Sequence, residues 1–163
     1  MDSAPNSVNA LKCELASEIL CSSGSLRLGV TGWSMLPTVM PGDTLTIERI
    51  SGDAVCRGDI VLFGRDQRLF VHRVVRASQP RAEGIMTRGD AMPVPDPPLP
   101  ERDLLGRVSS ISRNGNCFRP SRTLRFSQRA IAAVVRRSTF AARIVVGVHG
   151  MRQNQDRAVP CQN

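Results

Sequence analysis

Three short segments of the chain carry side chains that together can hydrolyse an amide bond. Ser34 lies within Gly32–Thr38, a turn bounded by glycine and proline that holds a hydroxyl outside any regular element. His72 follows in an apolar, strand-like run, and Asp90 and Asp96 stand farther along in one loop. A serine hydroxyl is a weak nucleophile and needs a base, which a histidine oriented by a carboxylate supplies. The order serine, histidine, aspartate therefore predicts a serine protease.

Four segments resemble, in order and spacing, those of the S24/S26 peptidases, and most closely the type I signal peptidases. A serine box, a G-D-I-V-x-F strand, a base box and an acidic box stand here as Gly32–Thr38, Gly58–Phe63, His72–Val74 and Thr87–Asp96. Bacterial signal peptidases and self-cleaving repressors carry lysine in the base box, whereas the endoplasmic-reticulum and archaeal type carries histidine. The resemblance is therefore to the histidine type, and it extends over about half of the chain.

The resemblance implies a role for each polar group. Ser34 matches the nucleophile, His72 the general base and Asp96 the aspartate of a Ser-His-Asp triad, while Asp90 matches a second acid that holds the loop. Residue chemistry alone leaves either aspartate able to orient the histidine. Some signal peptidases add a hydroxyl two residues before the nucleophile, where this chain has Gly32, so we expect backbone N–H groups near Ser34 to bind the oxyanion. The implied activity is a serine endopeptidase that cleaves leader or signal-type segments from precursor peptides.

Two periodicities predict a mainly β, antiparallel coiled-sheet domain preceded by one helix. A helix is predicted from Asn6 or Ser7 to about Ser22, with Gly24 as its stop. One face of this helix is apolar and is expected to pack on the domain: Val8, Leu11, Leu15 and Ile19. Period-two patterns predict strands at 26–30, 45–47, 59–63, 69–76, 84–87 and 104–111. Met92–Pro100 holds five prolines in nine residues and predicts an extended loop.

Charge divides the chain unevenly. Residues 1–112 carry 12 basic and 13 acidic side chains, a net of −1, whereas residues 113–163 carry ten arginines against Asp156, a net of +9. We predict an N-terminal helix (1–25), a peptidase domain (26–112) and an arginine-rich, helical C-terminal extension (113–163). Its helix-prone part, Gln128–Val148, can contact an anionic membrane, nucleic acid or an acidic partner. A solvated extension and packing back on the domain are the alternatives.

Cysteine usage and hydropathy bear on compartment and cofactors. The five cysteines are odd in number and never spaced C-x-x-C, which argues against a disulfide framework or a zinc site. We expect no metal and no other cofactor. The first 30 residues hold no long apolar run and no secretory signal pattern. A cytoplasmic location, with or without peripheral attachment to a membrane, is therefore expected.

A second function class competes with the enzyme. The same fold can serve as a non-catalytic or self-cleaving regulatory module whose basic tail contacts nucleic acid or a membrane. Salt-dependent DNA binding would be its signature. No helix-turn-helix module precedes the β domain, and the presence of all three chemical groups favours the enzyme.

Overall fold

An N-terminal helix and a seven-stranded sheet account for most of the described residues. A computed structural model of the protein describes residues 4–77, 84–124 and 130–134. The elements are α1 (Ala4–Ser23), β1 (Ser25–Gly29), β2 (Thr44–Glu48), β3 (Ile60–Arg65), β4 (Arg68–Arg76), β5 (Met86–Arg88), β6 (Leu104–Arg113) and β7 (Asn116–Phe118). The strands follow the order β1-β2-β6-β3-β4-β5, β7 pairs with β6, and every pairing is antiparallel. The predicted mainly β, antiparallel fold is confirmed.

The sheet buries apolar side chains on both of its faces. β3 shows this most clearly, because its first four residues, Ile60 to Phe63, are all buried. Successive strand residues point to opposite faces. Ile60 and Leu62 therefore join one core with Leu45 and Ile47 of β2, while Val61 and Phe63 join a second core with Val74 of β4. The sequence of a strand that is covered on both faces is continuously apolar, whereas a strand with one exposed face alternates apolar and polar residues.

The helix forms where the sequence predicts it but presents a different face. It ends at Ser23, and Gly24 follows with φ +71°, a left-handed conformation that suits a helix stop. The residues that pack on the sheet are Ala16 and Leu20, which are 4% and 1% exposed. Val8, Leu11 and Leu15 are 51%, 63% and 52% exposed, so the prediction that this stripe packs on the domain is wrong. The helix carries apolar residues on two sides, and its contacts with β1, β4 and β6 decide which side is buried.

The last strand, β7, is not among the strands that the period-two patterns predict. β6 and β7 form a hairpin around Asn114 and Gly115, which both have positive φ (50° and 79°). An Asn-Gly pair between two strands is a strong hairpin signal, and it was available in the sequence. The boundary predicted at residue 112 consequently falls inside β6.

Arg113, just beyond that boundary, ties the end of β6 to the loop before β2. Its guanidinium donates two hydrogen bonds to the Asp43 carboxylate, at 2.8 and 2.7 Å, and a third to the Thr38 carbonyl at 3.1 Å. Asp43 is fully buried and also accepts a bond from the Met40 N–H. Because a buried carboxylate is stable only when its charge is compensated, this ion pair holds the segment that follows Ser34.

The arginine-rich extension is described only in part. Residues 130–134 are helical, and the rest of the predicted Gln128–Val148 helix lies outside the described residues. Within the described ranges no helix has both the length and the apolar character needed to cross a membrane.

We expect Arg113→Met to destabilise the fold by about 3 kcal/mol, because it leaves the buried Asp43 charge without its bidentate partner. Urea unfolding followed by circular dichroism measures the change. Arg102→Met is the matched control, since the Arg102 side chain is 82% exposed and its contact with Asp103 is 3.7 Å long. Equal unfolding midpoints for the two variants would contradict this account.

Candidate active site

Ser34 begins a turn that is anchored by its neighbours. The N–H of Leu36 donates to the Trp33 carbonyl at 3.1 Å, and the N–H of Val39 donates to the Met35 carbonyl at 3.1 Å. Met35, Leu36 and Val39 are all buried, whereas Ser34 itself is only half-buried. The apolar residues of the turn therefore hold its backbone in place and leave the hydroxyl at the surface of the sheet.

His72 lies in β4 with a defined ring environment. It pairs with Val61 of β3, and its ring lies 5.9 Å from the Phe63 ring and 6.0 Å from the Phe70 ring, centroid to centroid. The side chain is buried, and its Nε2 lies 3.1 Å from the Ser34 Oγ. The predicted placement of Phe70 and His72 on one face of the strand is confirmed. Two aromatic rings and a strand backbone thus limit the directions in which the imidazole can point.

Asp96 contacts the other nitrogen of the imidazole. Its Oδ2 lies 2.7 Å from His72 Nδ1 and accepts a 2.6 Å hydrogen bond from the Thr87 hydroxyl. The Asp96 N–H donates to the Thr87 carbonyl at 2.8 Å, which fixes the backbone as well. Burial by itself raises the pKa of the Asp96 carboxyl, but the bonds from His72 and Thr87, with the charges of His72 and Arg65, leave that pKa below its ordinary value. Asp96 is therefore held as a carboxylate.

The side chains of Ser34, His72 and Asp96 are connected by two successive hydrogen bonds. A carboxylate can only accept, so His72 Nδ1 carries the proton that it shares with Asp96, and the Nε2 lone pair faces the Ser34 hydroxyl. Both distances lie within the range required of a nucleophile, its base and the group that orients the base. This arrangement can withdraw the proton of Ser34 as its oxygen attacks a carbonyl.

Asp90 belongs to a different network. Its carboxylate accepts two bonds from the Arg73 guanidinium, at 2.8 and 2.9 Å, and a third from the Thr38 hydroxyl. Arg73 also donates to the carbonyls of Gly58 and Ser121, at 2.9 and 2.8 Å. All three side chains are buried. Asp90 therefore connects the acidic loop, β4 and the Ser34 turn, and of the two candidate aspartates Asp96 contacts His72.

Gly89 lets the acidic loop pass directly over the Ser34 turn. A Cβ at this position would lie 2.6 Å from the Ser34 carbonyl oxygen, 2.7 Å from Met92 Cγ and 3.2 Å from His72 Nε2. Two residues later, the Ala91 N–H donates to the same Ser34 carbonyl at 2.9 Å. The absence of a side chain at Gly89 thus sets how closely the serine and the histidine segments approach each other.

Two further polar residues, Asp59 and Cys56, contact each other away from the triad residues' own hydrogen bonds. Asp59 is buried, accepts a bond from the Cys56 N–H and pairs with Arg122 at 2.7 Å, and Cys56 itself is exposed. In the described part of the chain, no three His, Cys, Asp or Glu side chains stand together as a metal site. The prediction that backbone N–H groups near Ser34 bind the oxyanion remains a prediction.

Comparison with known families covers the first half of the chain. Residues 6–83 match the family model described as Peptidase S24-like. The matched segment is therefore similar to the S24 peptidases. It includes Ser34 and His72 and ends before Asp90 and Asp96. Among curated proteins, none matches the chain significantly.

Two contacts of this site are not evident from the sequence. The sequence marks Thr87 as the first residue of the acidic box and the end of a predicted strand, and Arg73 as the second residue of the base box, but it assigns neither a contact. A buried threonine bonded to an acid nine residues away leaves no periodic signal. The Arg73–Asp90 pair spans 17 residues, so its formation depends on the antiparallel pairing of β4 and β5.

The two aspartates of the acidic loop should respond differently when each is replaced by the neutral asparagine. We expect Asp96→Asn to lower kcat/KM by orders of magnitude with little change in stability, because an amide favours the wrong imidazole tautomer. Asp90→Asn should instead destabilise the fold by about 3 kcal/mol, since it leaves buried Arg73 without its charge partner. Peptide hydrolysis and urea unfolding, measured on both variants, separate the effects. Our assignment would be reversed by a folded Asp90→Asn that is far less active than Asp96→Asn.

Substitution of Gly89 tests the close approach of the two segments. We expect Gly89→Ala to lower kcat/KM by about a hundredfold, because the new methyl must displace the Ser34 carbonyl, and a shift of about 1 Å has effects of that size. Gly64→Ala is the matched control, since nothing lies within 4 Å of its Cβ position. Equal activity of the two variants in a peptide-cleavage assay would show that the approach is not required.

Proposed function

We propose that the protein is a serine endopeptidase in which Ser34 is the nucleophile, His72 the general base and Asp96 the acid that orients the base. One observation carries the proposal: His72 is hydrogen-bonded through Nε2 to Ser34 and through Nδ1 to Asp96, at 3.1 and 2.7 Å. The family match adds support, because it includes the segments that carry Ser34 and His72.

The reaction follows from these positions. Ser34 Oγ attacks the scissile carbonyl while His72 Nε2 takes its proton, and the carboxylate of Asp96 stabilises the imidazolium that forms. The C–N bond then breaks, and His72 returns the proton to the departing amine, which leaves an acyl ester on Ser34. A water molecule, deprotonated by His72, hydrolyses the ester and restores the serine. Each step moves one proton between Nε2 and a neighbouring atom, so no further titrating group is needed.

The substrate class is the finer part of the proposal. The combination of a serine box, a histidine base box and an acidic box resembles the endoplasmic-reticulum and archaeal signal peptidases. We therefore assign leader or signal-type segments of precursor peptides as substrates. Ser34 stands at the surface on a turn, next to Trp33, which is 42% exposed, so an extended peptide can reach the hydroxyl.

We assign the arginine-rich residues 113–163 a role that is separate from catalysis, namely peripheral contact with an anionic membrane. Arg113 and Arg122 are already paired with Asp43 and Asp59. Any external contact would therefore depend on the other arginines of this segment. Sedimentation of the full chain with anionic vesicles at low salt tests the assignment, and absence of binding rejects it.

The decisive variant is Ser34→Ala. We expect it to abolish peptide hydrolysis and labelling by a fluorophosphonate probe, with stability changed by less than about 0.5 kcal/mol, because one half-buried hydroxyl is lost. A peptide library digested by wild type and variant, read by mass spectrometry, gives the cleavage motif at the same time. Ser22→Ala, in the exposed last turn of α1, is the matched control. Equal turnover by wild type and Ser34→Ala would remove the serine-protease proposal.

A further inference from the structure

Thr87 occupies a position that no step of the proposed reaction uses. It lies at the centre of β5, is fully buried, and directs its hydroxyl at Asp96 Oδ2 from 2.6 Å. The same oxygen is 2.7 Å from His72 Nδ1. Two donors therefore converge on a single carboxylate oxygen, one from the imidazole and one from a side chain that does not titrate in water.

We propose that Thr87 is a positioning residue that sets the orientation and the charge of the Asp96 carboxylate, and through it the orientation of the imidazole of His72. The inference rests on the proposed function, since it assigns a role within the same site. An aspartate side chain can rotate about two bonds, and one hydrogen bond from an imidazole leaves part of that freedom. A second donor at the same oxygen removes it, because a rotation of the carboxylate would break both bonds together.

The backbone around Asp96 is held by contacts that do not involve the Thr87 hydroxyl. The Asp96 N–H bonds to the Thr87 carbonyl, and the Arg65 guanidinium donates to the carbonyls of Pro97 and Pro98, at 2.9 and 3.2 Å. An antiparallel bridge between Ile85 and Leu99 closes the loop. Removal of the hydroxyl alone should therefore leave the loop in place and change only the carboxylate.

The hydrogen bond from the Thr87 hydroxyl also affects the ionisation of Asp96. Burial raises the pKa of this carboxyl, and the bonds from His72 and Thr87 act against burial. Without the hydroxyl, the pKa of Asp96 moves upward, and its carboxylate stabilises the imidazolium less well. Because that stabilisation is needed only when His72 is charged, the loss should appear in kcat and not in KM.

The test compares Thr87→Val with Thr87→Ser in the full chain. Valine has the shape of threonine and lacks the hydroxyl, and we expect it to lower kcat by about 10- to 100-fold, the factor that loss of a charge-assisted hydrogen bond produces. KM should stay within about twofold. Serine keeps the donor and should restore most of the activity. Thr46→Val, at a half-buried position in β2, is the matched control for a Thr-to-Val change in a strand.

A second readout does not depend on turnover. The chain has two histidines, His72 and His149, so His149→Gln leaves His72 as the only imidazole. In that background the Nδ1–H proton of His72 should give a downfield NMR resonance, and Thr87→Val should shift it upfield or abolish it. Thr87→Ala replaces Thr87→Val in both measurements if the valine variant does not fold.

The outcomes separate this inference from the proposed function. A dead Ser34→Ala together with a fully active Thr87→Val overturns the role of Thr87 and leaves the protease intact. Equal activity of wild type and Ser34→Ala overturns the protease, and an unchanged His72 resonance in Thr87→Val then overturns the positioning role as well. Loss of kcat with rescue by serine and a shifted resonance supports the inference.

Discussion

The Arg73 guanidinium makes the hydrogen bonds on which the rest of the site depends. It donates hydrogen bonds to the side chains of Asp90 and Thr38 and to the carbonyls of Gly58 and Ser121. Four segments that are distant in sequence therefore meet at one buried cation. Arg is suited to this role because its planar group offers five donors in fixed directions and stays charged when buried. Removing any one partner would leave a buried polar group uncompensated, so the network specifies one arrangement of these segments.

The position of Arg73 next to His72 links this network to the chemistry. Successive residues of a strand point to opposite faces, so β4 directs the guanidinium to one side and the imidazole to the other. Asp90 and Asp96 likewise have different surroundings, one beside the guanidinium and the other beside the imidazole. Asp90 is enclosed and neutralised by Arg73, whereas Asp96 is partly exposed and faces an imidazole that can gain a proton. One loop thus supplies two carboxylates with different partners, one paired with a buried guanidinium and the other with an imidazole.

The sheet provides the rigidity that the site requires. β3 is buried on both faces, and β4 pairs with it along the stretch that includes His72. Besides its Thr38 contacts with Asp90 and Arg73, the Ser34 turn is held by its own buried residues and by the Arg113–Asp43 pair. Positions set by packed strands and buried ion pairs vary little, and a serine and a histidine from different elements need that precision to stay within hydrogen-bond distance.

Much of this architecture could be read from local patterns. The period-two runs predicted six of the seven strands, and the Gly-bounded serine box, the histidine strand and the proline-rich loop marked the segments that meet at the site. These features are local, because strand alternation, turn residues and helix stops act over a few neighbours. Only the tertiary structure decided which helix face is buried, that Asp90 pairs with Arg73 while Asp96 faces His72, and that Thr87 bonds to the same carboxylate oxygen. Those outcomes depend on strand register and on contacts between residues far apart in sequence, such as Thr38 and Asp90, which are 52 positions apart. A one-residue change of register would turn the side chains of a strand to the opposite face.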